Sequence, residues 1–233
     1  MDRGTLIFLA RLAEEAERYD EMADHMKAVA VNFEDELSTE EGNLIAVAFK
    51  NEISSRRAAW RVMRAIEAKV DDPKKAAAIQ SYRQNIEQEV RDLSQEMVGI
   101  LDDHILPKAT AVEGEAFYHK MKGDYYRYMA EIDTQSNNES AKLALASYDK
   151  AWSLMTTELP PTHPLRLGLA LNFSVFYSDI MNSPDRAIRL AKQSFDDAIE
   201  ELDALSEDNY RDTTLIMQLL RDNVTLWSAQ DEE

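Results

Sequence analysis

The chain has 233 residues, with 26 Lys+Arg against 44 Asp+Glu, a formal net charge of -18 and 45% hydrophobic residues. That is enough length and apolar content for a sizeable core and too much for a disordered acidic tail, and the charge disfavours nucleic acid and anionic membranes as partners. Cysteine is absent, which excludes a disulfide scaffold, a zinc finger, an iron–sulfur site and a thiol nucleophile.

Gly 6 and Pro 6 are few breakers for this length, so long helices are expected. The stretch Met1 to Asp20 lacks a long apolar segment and turns acidic at once, unlike a secretory signal, and no apolar run approaches the roughly 20 residues of a membrane span. The expectation is a soluble, intracellular, all-α protein of about nine helices.

The first predicted helix covers about 3–16, with Leu6, Leu9, Leu12, Ala13 and Ala16 on one side; the second covers about 20–33. The third follows a capping box, Ser38 with Glu41, and runs to about Val70. Asp72-Pro73 starts the fourth, which reaches about Ile105 before Leu106-Pro107. The fifth covers about 112–134, and Gln135 to Asn138 form a polar break. The sixth ends near Glu158 before Pro160-Pro161, and the seventh runs from Pro164 to Asn182. Ser183-Pro184 reads as N-cap and first residue of the eighth, and the ninth covers about 210–229. Short connections suggest antiparallel neighbours in an array. Gly123-x-x-Tyr126 and Ala187-x-x-x-Ala191 resemble fragments of a tetratricopeptide unit, but they do not recur at a register of about 34 residues.

Catalytic chemistry finds no support. His25, His104, His119 and His163 form no ligand spacing and read as solvated or capping residues. Acidic pairs such as Glu14-Glu15, Asp102-Asp103 and Asp196-Asp197 suit solvated helix faces. Phosphate-cradling glycine loops and the Gly-x-Ser-x-Gly elbow are absent. No catalytic residue, metal or cofactor is assigned.

Two patterns stand out. Lys50 and Arg57 on the third helix are at i and i+7, and Lys120 and Arg127 on the fifth repeat that spacing, with Tyr128 next. They are either solvated basic edges or a cationic pocket where the two helices meet, suited to a phosphate by bidentate Arg contact and a Tyr donor. The second pattern is a pair of stripes at steps of four: Leu215, Leu219, Asn223 and Trp227 on the ninth helix, and Leu171, Val175 and Asp179 on the seventh, with Asn172 alongside. They are either core or the wall of a peptide groove whose asparagines bond a ligand backbone.

The stretches Arg18-Tyr19-Asp20-Glu21-Met22, Arg56 to Arg61, Tyr118 to Tyr128, Pro161 to Tyr177 and Leu215 to Asn223 resemble the 14-3-3 proteins, over essentially the whole chain. The resemblance implies a single domain over 1–233: nine antiparallel helices in a cup-shaped array with a concave amphipathic groove. Segment 1–105 then holds the dimer seam and groove floor, and 112–229 the groove wall. It implies a cytoplasmic adaptor, reaching the nucleus through clients, that docks phosphoserine or phosphothreonine segments and regulates clients by clamping, masking or scaffolding them. Partners are then phosphorylated clients and a second copy, with pairing to relatives left open, and neither nucleic acid nor membrane insertion is expected.

By position the resemblance puts phosphate binding on Lys50, Arg57, Arg127 and Tyr128, with Lys120 nearby. Backbone recognition falls on Asn172 and Asn223. The groove wall falls on Leu171, Val175, Leu215, Ile216, Leu219, Trp227 and Val47, with Asp179 where many members have Glu. The dimer seam falls on Leu12, Ala16, Arg18, Ala59, Met63, Ile66, Tyr82 and Glu89. Thr5 and Asn85 replace charged residues of the family's inter-subunit pairs, and Ala58-Ala59 stand where relatives carry a phosphorylatable serine. Ser183-Pro184 matches another family modification site, and the family's long acidic tail is expected to be absent or truncated after Trp227. A tetratricopeptide-like module for unphosphorylated peptides is the alternative reading; a cryptic hydrolase using the carboxylates is a third.

Overall fold

The computed structural model describes residues 1–133, 138–202, 205 and 207–230. Residues 135–137 of the expected polar break and the chain beyond 230 lie outside these residues. Among the described residues there are nine α-helices and no strand: α1 Arg3–Glu15, α2 Tyr19–Asn32, α3 Thr39–Glu67, α4 Pro73–Ile100, α5 Val112–Ile132, α6 Glu139–Glu158, α7 Pro164–Asp179, α8 Pro184–Glu201 and α9 Glu207–Gln230. None of these helices is long and apolar enough to cross a membrane. The chain forms two compact units, Met1–Thr110 and Ala111–Glu233.

In the first unit, α2 packs on α1 and α3, and α3 on α4. Its core is built from residues such as Ala10, Met22, Met26, Ile45, Phe49, Ile53, Val90 and Met97. The helix starts follow the capping signals. Thr5 N–H donates to Asp2 Oδ1 at 2.9 Å. The capping box forms as expected: Glu41 N–H donates to Ser38 Oγ at 3.2 Å, and Ser38 N–H donates to Glu41 Oε2 at 2.7 Å. Arg3 then grips both Glu41 oxygens at 2.8 Å, tying α1 to the start of α3.

The expected fourth helix is shorter as an α-helix. It ends at Ile100 and continues as a π-helical turn, Leu101–Ile105, and a 3-10 turn, Leu106–Lys108. Pro107 lacks the N–H an α-helical continuation needs, and its ring crowds the preceding turn.

In the second unit, α5 packs against α6 and α7, α7 against α8 and α9, and α8 against α9. One core cluster gathers Tyr148, Met155, Leu169, Phe173 and Phe176; the other gathers Leu167, Ala170, Ala187, Ala191, Met217, Leu220 and Trp227. Asn138 caps α6 through Ala141 N–H at 2.9 Å. His163 caps α7, its Nδ1 accepting from Leu165 N–H at 3.2 Å, the bland role expected for a histidine. Two expectations are corrected. The seventh helix stops at Asp179 rather than Asn182, because Asn182 takes a left-handed φ of 46° and turns the chain out. Ser183 precedes Pro184 as expected, but its hydroxyl does not cap: it donates to the Met181 carbonyl at 3.0 Å.

Candidate functional site

In the first unit, α3 presents Val47 half-buried, Lys50 exposed and Arg57 half-buried. Spacing of seven on a 3.6-residue helix brings Lys50 and Arg57 back to nearly the same face. Their neighbour Arg56 has a different role, pairing with Glu52 at 3.2 Å and Glu89 at 3.3 Å.

In the second unit three expected residues, Lys120, Arg127 and Asn172, converge on a residue given no role in the sequence reading, Asp124. It is 7% exposed. Lys120 Nζ donates to its Oδ2 at 2.9 Å, and Arg127 Nη2 reaches its Oδ1 at 3.4 Å. Asn172 Nδ2, from α7, donates to the same Oδ1 at 2.8 Å. Tyr148, from α6, donates its hydroxyl to Oδ1 at 2.6 Å and accepts from Arg127 Nε at 2.9 Å. The Arg127 guanidinium also stands 4.8 Å from the Tyr128 ring centroid, and Tyr128 itself is buried.

The electrostatics follow from this geometry. Burial would raise the Asp124 pKa, but the charges of Lys120 and Arg127 and the Tyr148 hydrogen bond outweigh it and hold the group at about 2. Burial works against the Arg127 charge, and Tyr148, Tyr128 and Asp124 more than offset it, so its pKa is raised well above the ordinary value. Burial, with Asp124 adjacent, pushes the Tyr148 phenol well up and keeps it a neutral hydroxyl able to donate and accept at once. Two cations and one anion leave this cluster with a net positive charge in a chain of net charge -18.

Asp124 carried a sequence signal: it lies four after Lys120 and three before Arg127, the two ion-pairing steps of a helix. Tyr148 carried none, because only tertiary packing brings α6 to that point.

The α9 stripe resolves the core-or-groove alternative in an unexpected way. Leu215 is 64% exposed and Leu219 44%, Asn223 is half-buried, and Trp227 is 5% exposed inside the core cluster. A step of four residues overshoots a 3.6-residue turn by about 40°, so three steps rotate the line by roughly 120°. The same stripe therefore begins on the surface and ends in the core. Ile216 and, on α7, Leu171 and Val175 are half-buried against that core, while Asp179 is exposed.

On the first unit, the expected seam residues Leu12, Ile66 and Tyr82 are 49%, 41% and 59% exposed. Ala16 is exposed, and Ala59 and Met63 are half-buried. Phe8 at 61% and Val62 at 52% join the exposed apolar set and were not picked out by the sequence reading. Within one chain, Arg18 pairs with Glu21 and Glu89 with Arg56, so any inter-subunit role for Arg18 and Glu89 competes with these partners.

The 14-3-3 protein family model matches residues 9–228. The chain is 54% identical over 236 residues to 14-3-3 protein 8 of Solanum lycopersicum, covering 100% of this chain and 90% of that protein. It is 53% identical over 232 residues to 14-3-3 protein epsilon of Drosophila melanogaster, covering 98% and 88%. It is 52% identical over 234 residues to the checkpoint signal transducer rad24 of Schizosaccharomyces pombe, covering 99% and 86%.

Proposed function

The chain belongs to the 14-3-3 protein family, and on that premise we propose that it is an adaptor that binds phosphoserine- or phosphothreonine-containing segments of client proteins. The observation that carries this reading is the Arg127 cluster: a half-buried, permanently charged guanidinium, paired with Lys120 around a single carboxylate. A phosphate brings about -1.5 to -2 charges and three acceptor oxygens. Arg127 meets it by charge-assisted hydrogen bonds, with Lys120 adding charge and Tyr128 a hydroxyl. The family resemblance assigns Lys50 and Arg57 to phosphate binding as well.

Asn172 and Asn223 bond the client backbone, and Leu171, Val175, Leu215, Ile216, Leu219 and Val47 receive its side chains, with Asp179 at the polar edge and Trp227 supporting the wall from the core. The adaptor works as a homodimer through its first unit. Two copies offer two sites, so a doubly phosphorylated client gains by effective concentration without any new contact. The client is then clamped, masked or scaffolded; no chemical step is involved. Its place is the cytoplasm, with the nucleus reached through clients.

Calorimetry with a matched phosphorylated and unphosphorylated peptide tests the reading. Removing one member of a desolvated charge pair costs about 2–5 kcal/mol, so Arg57→Ala and Arg127→Ala should each weaken phosphopeptide binding by about 30-fold or more. Equal affinity of the parent protein for both peptides would overturn it in favour of a module for unphosphorylated peptides.

A further inference from the structure

One oxygen atom, Asp124 Oδ1, accepts hydrogen bonds from three helices: from Tyr148 on α6 at 2.6 Å, Asn172 on α7 at 2.8 Å and Arg127 on α5 at 3.4 Å. Tyr148 closes a triangle by accepting from Arg127 Nε at 2.9 Å. Nε and Nη2 form one edge of the guanidinium fork, and both are taken up inside the protein. In the phosphopeptide reading the oxyanion then meets the opposite edge, Nη1 with the second N–H of Nη2. Asn172 is likewise held through its amide nitrogen, which fixes which way its carbonyl oxygen faces.

We propose that Asp124 and Tyr148 are positioning residues that set Arg127 and Asn172 in their ligand-ready orientations, so that recognition of the phosphate and of the peptide backbone is coupled through a single carboxylate oxygen. This rests on the phosphopeptide reading above and adds residues to it that touch no ligand. A tie between α5 and α6 needs only the Tyr148–Asp124 bond. The further bonds to Arg127 and Asn172 do nothing that such a tie requires, and they fall on the two side chains assigned to the ligand. Arg is rich in rotamers when unrestrained, so holding it before the ligand arrives removes an ordering cost from binding. Lys120, on the other carboxylate oxygen at 2.9 Å, adds the second positive charge that leaves the cluster net cationic.

Tyr148→Phe is the decisive variant, because it keeps the buried ring and deletes only the hydroxyl. Calorimetry should show phosphopeptide affinity falling about tenfold, with a smaller loss for the unphosphorylated peptide, which engages Asn172 but not Arg127. In an Arg127→Lys background the same change should have little further effect, because lysine has no Nε edge to orient. In the free parent protein, the Arg127 Nε–H should give a resolved, slowly exchanging nitrogen-15 correlation, in contrast to the exposed Arg11.

Parent-like affinity in Tyr148→Phe, or losses from the two substitutions that simply multiply, would overturn the proposal. So would an Arg127 Nε–H that exchanges as fast as that of Arg11, and this measurement decides the matter even if Tyr148→Phe fails to fold. A parent that does not distinguish the two peptides is a different failure, visible without any variant: it removes the phosphopeptide reading and this proposal with it.

Discussion

The ring of Tyr148 lies against the backbone of Gly123: a Cβ on Gly123 would stand 2.7 Å from Tyr148 Cδ1 and 2.8 Å from Cε1. Only glycine lets α5 and α6 approach this closely. The ring cannot retreat, because it stacks on Phe173 with centroids 5.2 Å apart and its hydroxyl is held by Asp124. Gly123→Ala should therefore destabilise the protein by about 1–3 kcal/mol through overpacking. An unconstrained helical position would instead gain roughly 0.5–1 kcal/mol from the same change. Urea unfolding of the two proteins gives the sign directly.

Asp124 should leave a pH signature. Its pKa falls from the ordinary 3.8 to about 2 in the folded protein. A depressed carboxylate contributes stability that is fully present above the unfolded value and is lost as pH falls through the folded one. The window is therefore about pH 4 down to pH 2, and the contribution is on the order of 2 kcal/mol. The stability advantage of the parent over Asp124→Asn, followed by denaturant unfolding, should be constant above about pH 5 and shrink towards pH 2. A constant difference across that range would show that the carboxylate charge is not what the cluster uses.

The exposed start of the α9 stripe should be separable from its buried end. Leu215 and Leu219 are 64% and 44% exposed, so Leu215→Asp with Leu219→Asp should leave the thermal midpoint nearly unchanged while peptide affinity drops at least tenfold. Trp227→Ala should instead cost about 3–5 kcal/mol of stability, the usual toll of truncating a buried aromatic. Thermal unfolding beside peptide titration distinguishes the two.

Apolar contact should hold the homodimer. Phe8, Leu12, Val62 and Tyr82 are between 49% and 61% exposed on a single chain, apolar surface that a second copy would remove from water. Leu12→Glu together with Tyr82→Gln should yield folded or partly folded monomers. Added salt should weaken the parent dimer little, since salt screens exposed charges and not apolar burial. Analytical ultracentrifugation across salt concentrations checks both. A monomeric parent at micromolar concentration would refute the dimer, and steep dissociation with salt would refute its apolar basis.

The helices and their starts were legible in the sequence because they depend on near neighbours. Ser38 with Glu41, Asp72 before Pro73 and the scarcity of glycine act within one or two turns, and the helices begin where those residues predict. The ends were less legible. Pro107 turned the close of the fourth helix into π and 3-10 turns, and Asn182 ended the seventh early through its own left-handed backbone. The cationic pairs and the asparagines were likewise visible as spacings, since a helix repeats its face every three to four residues.

Sequence by itself determined the helices among the described residues, the family and the identity of the charged and apolar side chains available to a site. Tertiary structure alone decided what those side chains do. Asp124 became a hub because packing of α5, α6 and α7 brought Tyr148 and Asn172 to one of its oxygens, and residues 24 and 48 positions away carry no helical phase relation to it. Leu215 and Trp227 share a stripe in sequence, yet one faces solvent and the other the core. A 3.6-residue turn drifts against a step of four, and only the neighbouring helices determine where along that drift burial begins.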